Sequence, residues 1–407
     1  MTAYFVHKEP LFDRKKSLFG NEFSFRTHAS GVDGVRWPVL GVDEDVVGAL
    51  SSEGGFESLV GSTPAFLTLD VASMKGDMVA FFPKNVVLQI PERDAADKEV
   101  VLRSVMLRKL GYQVAMDYTP SGRGFSQLHR IADFVRITTS SLLAEQAVAG
   151  FEGLPARLIA ASVEDKESFA RFCDLGFEVF QGPFFTQSSG NGSPTISSSQ
   201  QILLRLYNDL RANKDVGVIE RTFKDNPKLA YGLLQLMNSA YFRSGPKVDS
   251  IGRAIALLGY ENLEKWVVLL LFAVDRDAQS HPLIEKALIR SRLMESLAVK
   301  TKEKGLADRA FIAGMLSFMN VFFHMRPDEV AEKLNLVQEI QDALMRREGV
   351  LGMLLALAEK ADRQDYEEMD EETEALGISA EDVLRAESNA LMDWRVLDKP
   401  LTIRLAV

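Results

Sequence analysis

An α/β barrel followed by an all-helical bundle is the fold that this 407-residue sequence predicts. In the first half, short runs rich in β-branched and aromatic residues recur about every twenty to twenty-five residues, with helix-like stretches between them, the alternation of a parallel sheet with helical crossovers. An uncharged segment, QSSGNGSPTISSSQ at 187–200, then interrupts the pattern. Beyond it no strand pattern persists, and apolar residues fall at helical spacing.

The strand candidates are Phe66–Leu69, Val86–Ile90, Val114–Met116, Phe134–Ile137, Arg157–Ala160 and Phe177–Phe180, with helices over Lys98–Leu110 and Ser140–Ala149. So many β/α steps in one domain point to a TIM-like barrel, complete or short of closure; a doubly wound sheet is the competing arrangement. The serine- and glycine-rich stretch reads as a flexible linker. This divides the chain into a barrel over 1–187, a linker over 188–200 and a helical domain over 201–407. In the helical half Leu203, Leu206, Tyr207 and Leu210 share one face, as do Leu229, Leu233, Leu236 and Met237. Pro227 after Asp225-Asn226 marks a helix start, and Gly259 after Ala254–Leu258 a helix stop. Trp266 and the aliphatic run behind it read as core.

Composition narrows the function. Apolar residues at 46% and charged ones at 26% are ordinary for a folded soluble protein. Cys173 is the only cysteine, which excludes an intrachain disulfide and cysteine-rich zinc sites and fits a reducing compartment. No secretory leader opens the sequence, and the longest apolar run, Trp266–Val274, is too short to span a bilayer, so the expectation is a cytoplasmic protein without an integral membrane segment. The formal charge is −10. Residues 362–374, DRQDYEEMDEETE, carry −7 of it and read as a solvated loop or helix start. No basic footprint dominates, so nucleic acid is not an expected direct partner. Gly111, Gly122, Gly124 and Gly182 lack the spacing of a phosphate-binding loop and read as turn glycines.

Glu9-Pro10-Leu11-Phe12-Asp13 followed by Phe19-Gly20-Asn21-Glu22-Phe23-Ser24-Phe25-Arg26 resembles the opening of an EAL domain of the shortened kind. The likeness extends over roughly residues 3–187: Asp70 stands where the family has a metal-binding asparagine, Glu92 where it has a Thr-Glu pair, and Gln181-Gly182-Pro183-Phe184-Phe185 matches its last-strand Gln-Gly signature. The resemblance implies a barrel. It also implies an ancestral activity, since active members hydrolyse cyclic di-GMP with two divalent cations. Such a site needs several carboxylates converging from different strand ends. Against the family's Asp-Asp-Phe-Gly this chain has Asp117-Tyr118-Thr119-Pro120, so Tyr118, a poor magnesium ligand, replaces a carboxylate. Arg136 stands in place of a lysine near the attacking water and is fixed in its protonated state. Ala161 replaces a catalytic glutamate, and Ser24 replaces the leucine of the motif. Glu22, Arg26, Glu92, Asp117 and Gln181 survive, with Asp70 as a substitute. They are expected to be vestigial, and loss of cyclic di-GMP binding is the default expectation.

The segment from Val218 to Leu271 is similar to the HDOD domain, on Asp225-Asn226-Pro227-Lys228-Leu229, Leu233-Leu234-x-Leu236-Met237-Asn238-Ser239-Ala240 and Ile251-x-x-Ala254-Ile255-x-x-Leu258-Gly259. HDOD domains resemble metal-dependent HD phosphohydrolases in fold, yet none of His7, His28, His129, His281 and His324 is followed by aspartate. Where relatives often carry Gly-Leu-Leu-His-Asp, this chain has Gly314-Met315-Leu316-Ser317-Phe318. Asn238 is expected to cross-link neighbouring helices. His281 is expected at a helix start or on the surface, and His324 at the edge of the core or facing a partner.

Both halves therefore resemble bacterial signalling domains without their reagents. The expected function is a non-catalytic scaffold of cyclic-di-GMP-related control of motility, pili or biofilm, working through protein partners with no cofactor and no metal. A receptor that binds cyclic di-GMP without hydrolysis and a weak residual phosphodiesterase are the alternatives. A homodimer is expected only by analogy with EAL domains that pair through the barrel.

Overall fold

The computed structural model describes residues 4–27, 29–31, 34–36, 39–40, 60–69, 71–77, 79, 82–119, 127–138, 141–187, 196–238, 247–274, 281–323 and 326–402. The chain separates into two compact units, Met1–Gln187 and Ser188–Val407.

In the first unit the strands β1 (Tyr4–Asp13), β2 (Leu18–Thr27), β3 (Ala65–Thr68), β4 (Val86–Ile90), β5 (Gln113–Tyr118), β6 (Phe134–Thr138), β7 (Arg157–Ala161) and β8 (Val179–Gln181) form a closed ring in the order β1-β8-β7-β6-β5-β4-β3-β2, completed by the β1–β2 pairing. The sheet is thus a complete barrel, not a doubly wound sheet. Within the ring, β2 to β8 pair parallel with one another, whereas β1 is antiparallel to both β2 and β8; outside the ring, Val39–Leu40 adds a short antiparallel strand to β2. The reversal follows from chain length. Four residues separate β1 from β2, and Asp13 Oδ1 closes that turn by accepting from the amides of Lys15 and Ser17. So short a connection can only make an antiparallel neighbour, because a parallel one needs a crossover of about a dozen residues.

Helices α1 (Val71–Lys75), α2 (Lys98–Lys109), α3 (Ser141–Phe151) and α4 (Lys166–Asp174) lie between the strands. Asp97 caps α2 by accepting from Glu99 N and Val100 N, and Asp165 caps α4 by accepting from Ser168 N. Leu11, Phe66, Val87, Ala115, Phe134, Ile159 and Val179, one residue from each of seven strands, fill the interior with Phe19 packed against them. This layer is fully apolar, and it floors whatever lies above it.

Among the described residues the second unit holds helices and no strand: α5 (Ser198–Arg211), α6 (Val216–Lys224), α7 (Pro227–Met237), α8 (Ile251–Ala273), α9 (His281–Lys300), α10 (Leu306–Leu316), α11 (Met319–Phe323), α12 (Pro327–Lys333), α13 (Gln338–Arg346), α14 (Gly349–Asp362), α15 (Asp370–Leu376) and α16 (Ala380–Thr402). The first of these begins inside the segment expected as linker, because Ser197 and Gln200 form a capping box that starts the helix at Ser198. Gly259 breaks α8 with φ 76° and ψ 163°, so the expected helix stop is a kink between two helical segments. Trp266 and Val267 to Ala273 are buried as expected. The window Leu306–Phe323 has the hydropathy of a membrane span, but a turn at Ser317–Phe318 divides it and 67% of it is buried inside the bundle. Residues 362–374 form a helix end, a short 3-10 turn and α15, with Tyr366 and Met369 buried.

Candidate functional site at the barrel mouth

Side chains two residues apart on a strand share a face. Two residues beyond the apolar layer, toward the strand ends, the interior positions are therefore Thr68 on β3, Gln89 on β4, Asp117 on β5, Arg136 on β6, Ala161 on β7 and Gln181 on β8. On the reversed β1 the equivalent position is Glu9, which pairs in register with Glu22 on β2. Parity alone puts all eight on one ring above the floor.

Hydrogen bonds knit that ring. Arg136 Nη1 donates to Glu22 Oε1 at 3.0 Å and lies 3.5 Å from Asp117 Oδ1. Gln89 Nε2 donates to the same two oxygens, at 3.2 Å to Glu22 and 3.1 Å to Asp117. Gln181 Nε2 donates to Glu9 Oε2 at 2.9 Å and to Glu22 Oε2. The Gln181 amide can only sit this way round, because its oxygen in that place would face two carboxylates. Gly182, with φ 135°, lets the strand end there: a Cβ on it would stand 2.5 Å from the backbone of Val163, whose amide donates to Gln181 O. This is a physical reason for the Gln-Gly pair.

Burial pushes the Asp117 carboxyl up to about 6; Arg136 opposes that shift, while Glu22 and Glu92 add to it. For Arg136, burial works to lower the guanidinium pKa, but Glu22, Asp117 and Glu9 outweigh it and hold the group above its ordinary value. The mouth is acidic, with Arg136 neutralising its centre.

The remaining expected residues fall differently. Glu92 follows β4, where its Oε2 accepts from Thr119 N at 3.0 Å and its Oε1 is buried without a partner among the described residues. Arg26 lies further along β2, opposite Phe5. Asp70 lies outside the described residues. Tyr118 corrects the expectation: it is next to Asp117 and so points the other way, packing edge-on against His129 at 5.4 Å and Phe151 at 5.0 Å. The phenol does not replace a ligand in the site; it is absent from it. Ala161 does occupy a ring position and offers only a methyl group. Glu9 and Gln89 were not expected in the site. The signal for Gln89 was a lone polar residue inside the buried run Val86-Val87-Leu88-Gln89-Ile90.

Two divalent cations do not fit this donor set. Among the described residues no three or more histidine, cysteine, aspartate or glutamate side chains converge to hold a metal, and a guanidinium stands against both Glu22 and Asp117.

The helical unit has a parallel arrangement. Arg290 on α9 is buried, donates through Nε to Asp362 Oδ2 at 3.0 Å and through Nη1 to Ser317 Oγ at 2.8 Å, and lies 3.9 Å from the centre of the Phe318 ring. Ser317 and Phe318 are the pair that the resemblance to HDOD domains sets against a His-Asp. Gly314 brings the helices together: a Cβ there would meet Ser291 Cα at 2.6 Å. Asn238 acts structurally, donating to Leu234 O and Val248 O and accepting from Val248 N, each at 2.8 Å. Ser239, His324 and the side chain of His281 lie outside the described residues.

Residues 194–356 match the HDOD domain family. An uncharacterized protein of Bacillus subtilis, YuxH, is 25% identical over 378 residues, 89% of this chain and 91% of its own. A Vibrio cholerae protein described as cyclic di-GMP phosphodiesterase CdgJ is 24% identical over 395 residues, 94% of this chain and 90% of its own. Among solved structures, an EAL domain protein from Listeria monocytogenes is similar over 45% of this chain and 87% of its own, with 18% identity and a TM-score of 0.34.

Proposed function

We propose that this protein is a cytoplasmic, non-catalytic scaffold in cyclic-di-GMP-related signalling that acts through protein partners. The observation that carries the reading is the composition of the ring at the barrel mouth. Hydrolysis of a phosphodiester there needs metal-held water and a group to take its proton. The ring supplies a methyl group at Ala161 and a permanently charged guanidinium at Arg136, and its carboxylates are engaged by Arg136, Gln89 and Gln181. The helical unit points the same way, with Ser317 and Phe318 covered by Arg290. The signalling context is supported by the full-length likeness to a protein described as a cyclic di-GMP phosphodiesterase.

The test is turnover and binding on the full chain. No linear dinucleotide is expected from cyclic di-GMP with either magnesium or manganese, and affinity purification from the native cell is expected to retain a stable protein partner. Sustained hydrolysis that disappears on Glu22→Ala would overturn the reading.

A receptor without hydrolysis is the second reading, favoured by buried polar atoms at the mouth with no partner among the described residues: Gln181 Oε1, Glu92 Oε1 and Arg136 Nε. Isothermal titration with cyclic di-GMP separates the two. Saturable binding lost on Arg26→Ala, or on Gln181→Leu in a variant shown by circular dichroism to be folded, would favour the receptor.

A further inference from the structure

We infer that Arg136 is a tethered cation: its guanidinium holds the place between Glu22 and Asp117 that a divalent ion would need, and removing it opens the mouth to one. The inference rests on the non-catalytic reading of the barrel and says what closes it.

One nitrogen, Nη1, stands against both Glu22 Oε1 and Asp117 Oδ1. Those two oxygens are held close enough for Gln89 Nε2 to reach both as well. Oxygens from two strands that share a single donor are placed to share a metal ion once that donor is removed and the two carboxylates draw in around the smaller ion. A guanidinium and a divalent cation cannot both stand there, since like charges at such separation repel and the same lone pairs are required twice. Arg136 Nε is buried with no partner among the described residues, so the side chain is placed for its carboxylates and not for its own full hydrogen bonding. Gln181 adds an independent sign of a polar pocket: it is 2% exposed, and its Oε1 also lacks a partner among the described residues.

With the guanidinium gone, the pocket offers two carboxylates, the Gln89 side-chain oxygen once that amide turns over, and room for water. These are hard oxygen donors with no imidazole or thiolate, a set suited to magnesium or manganese and not to zinc.

Manganese alone is the probe, followed by electron paramagnetic resonance of free Mn²⁺ against the full chain. The wild-type chain is expected to show no binding that depends on Glu22. Arg136→Met is expected to bind at least about tenfold more tightly than wild type, and the double variant Arg136→Met/Glu22→Gln to lose that gain. Arg136→Gln, neutral but still a hydrogen-bond donor, provides a second test should the methionine variant fold poorly, with far-ultraviolet circular dichroism as the check on folding. The inference is overturned if wild type binds manganese through Glu22 as tightly as the variants, or if a folded variant binds no better than wild type. That second result leaves the non-catalytic reading standing, because that reading falls only to turnover by the wild-type chain.

Discussion

Glu9 and Glu22 stand directly opposite each other across the antiparallel pair β1–β2, and the side-chain amide of Gln181 donates to both. Like charges facing across a ladder destabilise a sheet. Here one amide from the neighbouring strand converts the repulsion into a three-strand tie that helps close the barrel.

Gln181 is therefore a structural residue whatever the mouth binds. Gln181→Leu removes the shared donor and leaves two partly buried carboxylates facing one another, a change expected to cost about 2–4 kcal/mol. Urea denaturation measures it, and a loss well below 1 kcal/mol would show that water serves the carboxylates equally well.

Asp117 makes stability depend on pH. Its carboxyl is raised to about 6 from an ordinary value of 3.8, with burial as the main cause. A raised carboxyl contributes stability that is fully present below the unfolded value and is lost as pH rises through the folded one. The side chain is 30% exposed, so solvent screening reduces the full effect to on the order of 2 kcal/mol between roughly pH 4 and pH 7. Thermal melts across that window should show wild type losing stability and Asp117→Asn following a flatter curve. Parallel curves would place the titration elsewhere.

Gly182 is expected to tolerate no side chain. Its φ of 135° is one that L-residues rarely adopt, and a Cβ would lie 2.5 Å from both the N and the O of Val163. Gly182→Ala should destabilise by about 3 kcal/mol or more, seen as a lowered denaturant midpoint.

Arg290 tests whether geometry or charge holds the helical core. It contacts Asp362 through both Nε and Nη2 while Nη1 reaches Ser317. A lysine keeps the charge without the fork, so Arg290→Lys should still cost about 1–2 kcal/mol, and Arg290→Met, which leaves Asp362 without this partner, about 3–5 kcal/mol. Equal losses for both variants would mean that the charge contributes nothing beyond the fork.

Much of this is legible in the amino-acid sequence alone. Alternating runs placed β3 to β8 within a few residues of their observed bounds, and Asp225-Asn226-Pro227 placed the start of α7. Asp117, Arg136, Ala161 and Gln181 were expected at strand ends and are there. Tyr118 was misjudged because adjacent residues on a strand face opposite ways, and a motif comparison carries no facing. The helix at Ser198 was missed because a serine-rich run supplies both linker and cap, and its glutamine at the third position decides for the cap.

What the amino-acid order determined by itself is local: the period of each segment, the helix starts, and which residue types reach the strand ends. Only the tertiary structure decided that β1 runs backward and closes the ring, that Glu9 and Gln89 join the site, and that Arg136 stands between Glu22 and Asp117 and Arg290 against Ser317 and Phe318. The reason is that alternation along one strand sets a face, whereas which faces meet depends on the register of every strand around a closed barrel, a relation among residues as far apart as Glu9 and Gln181 that no local window contains.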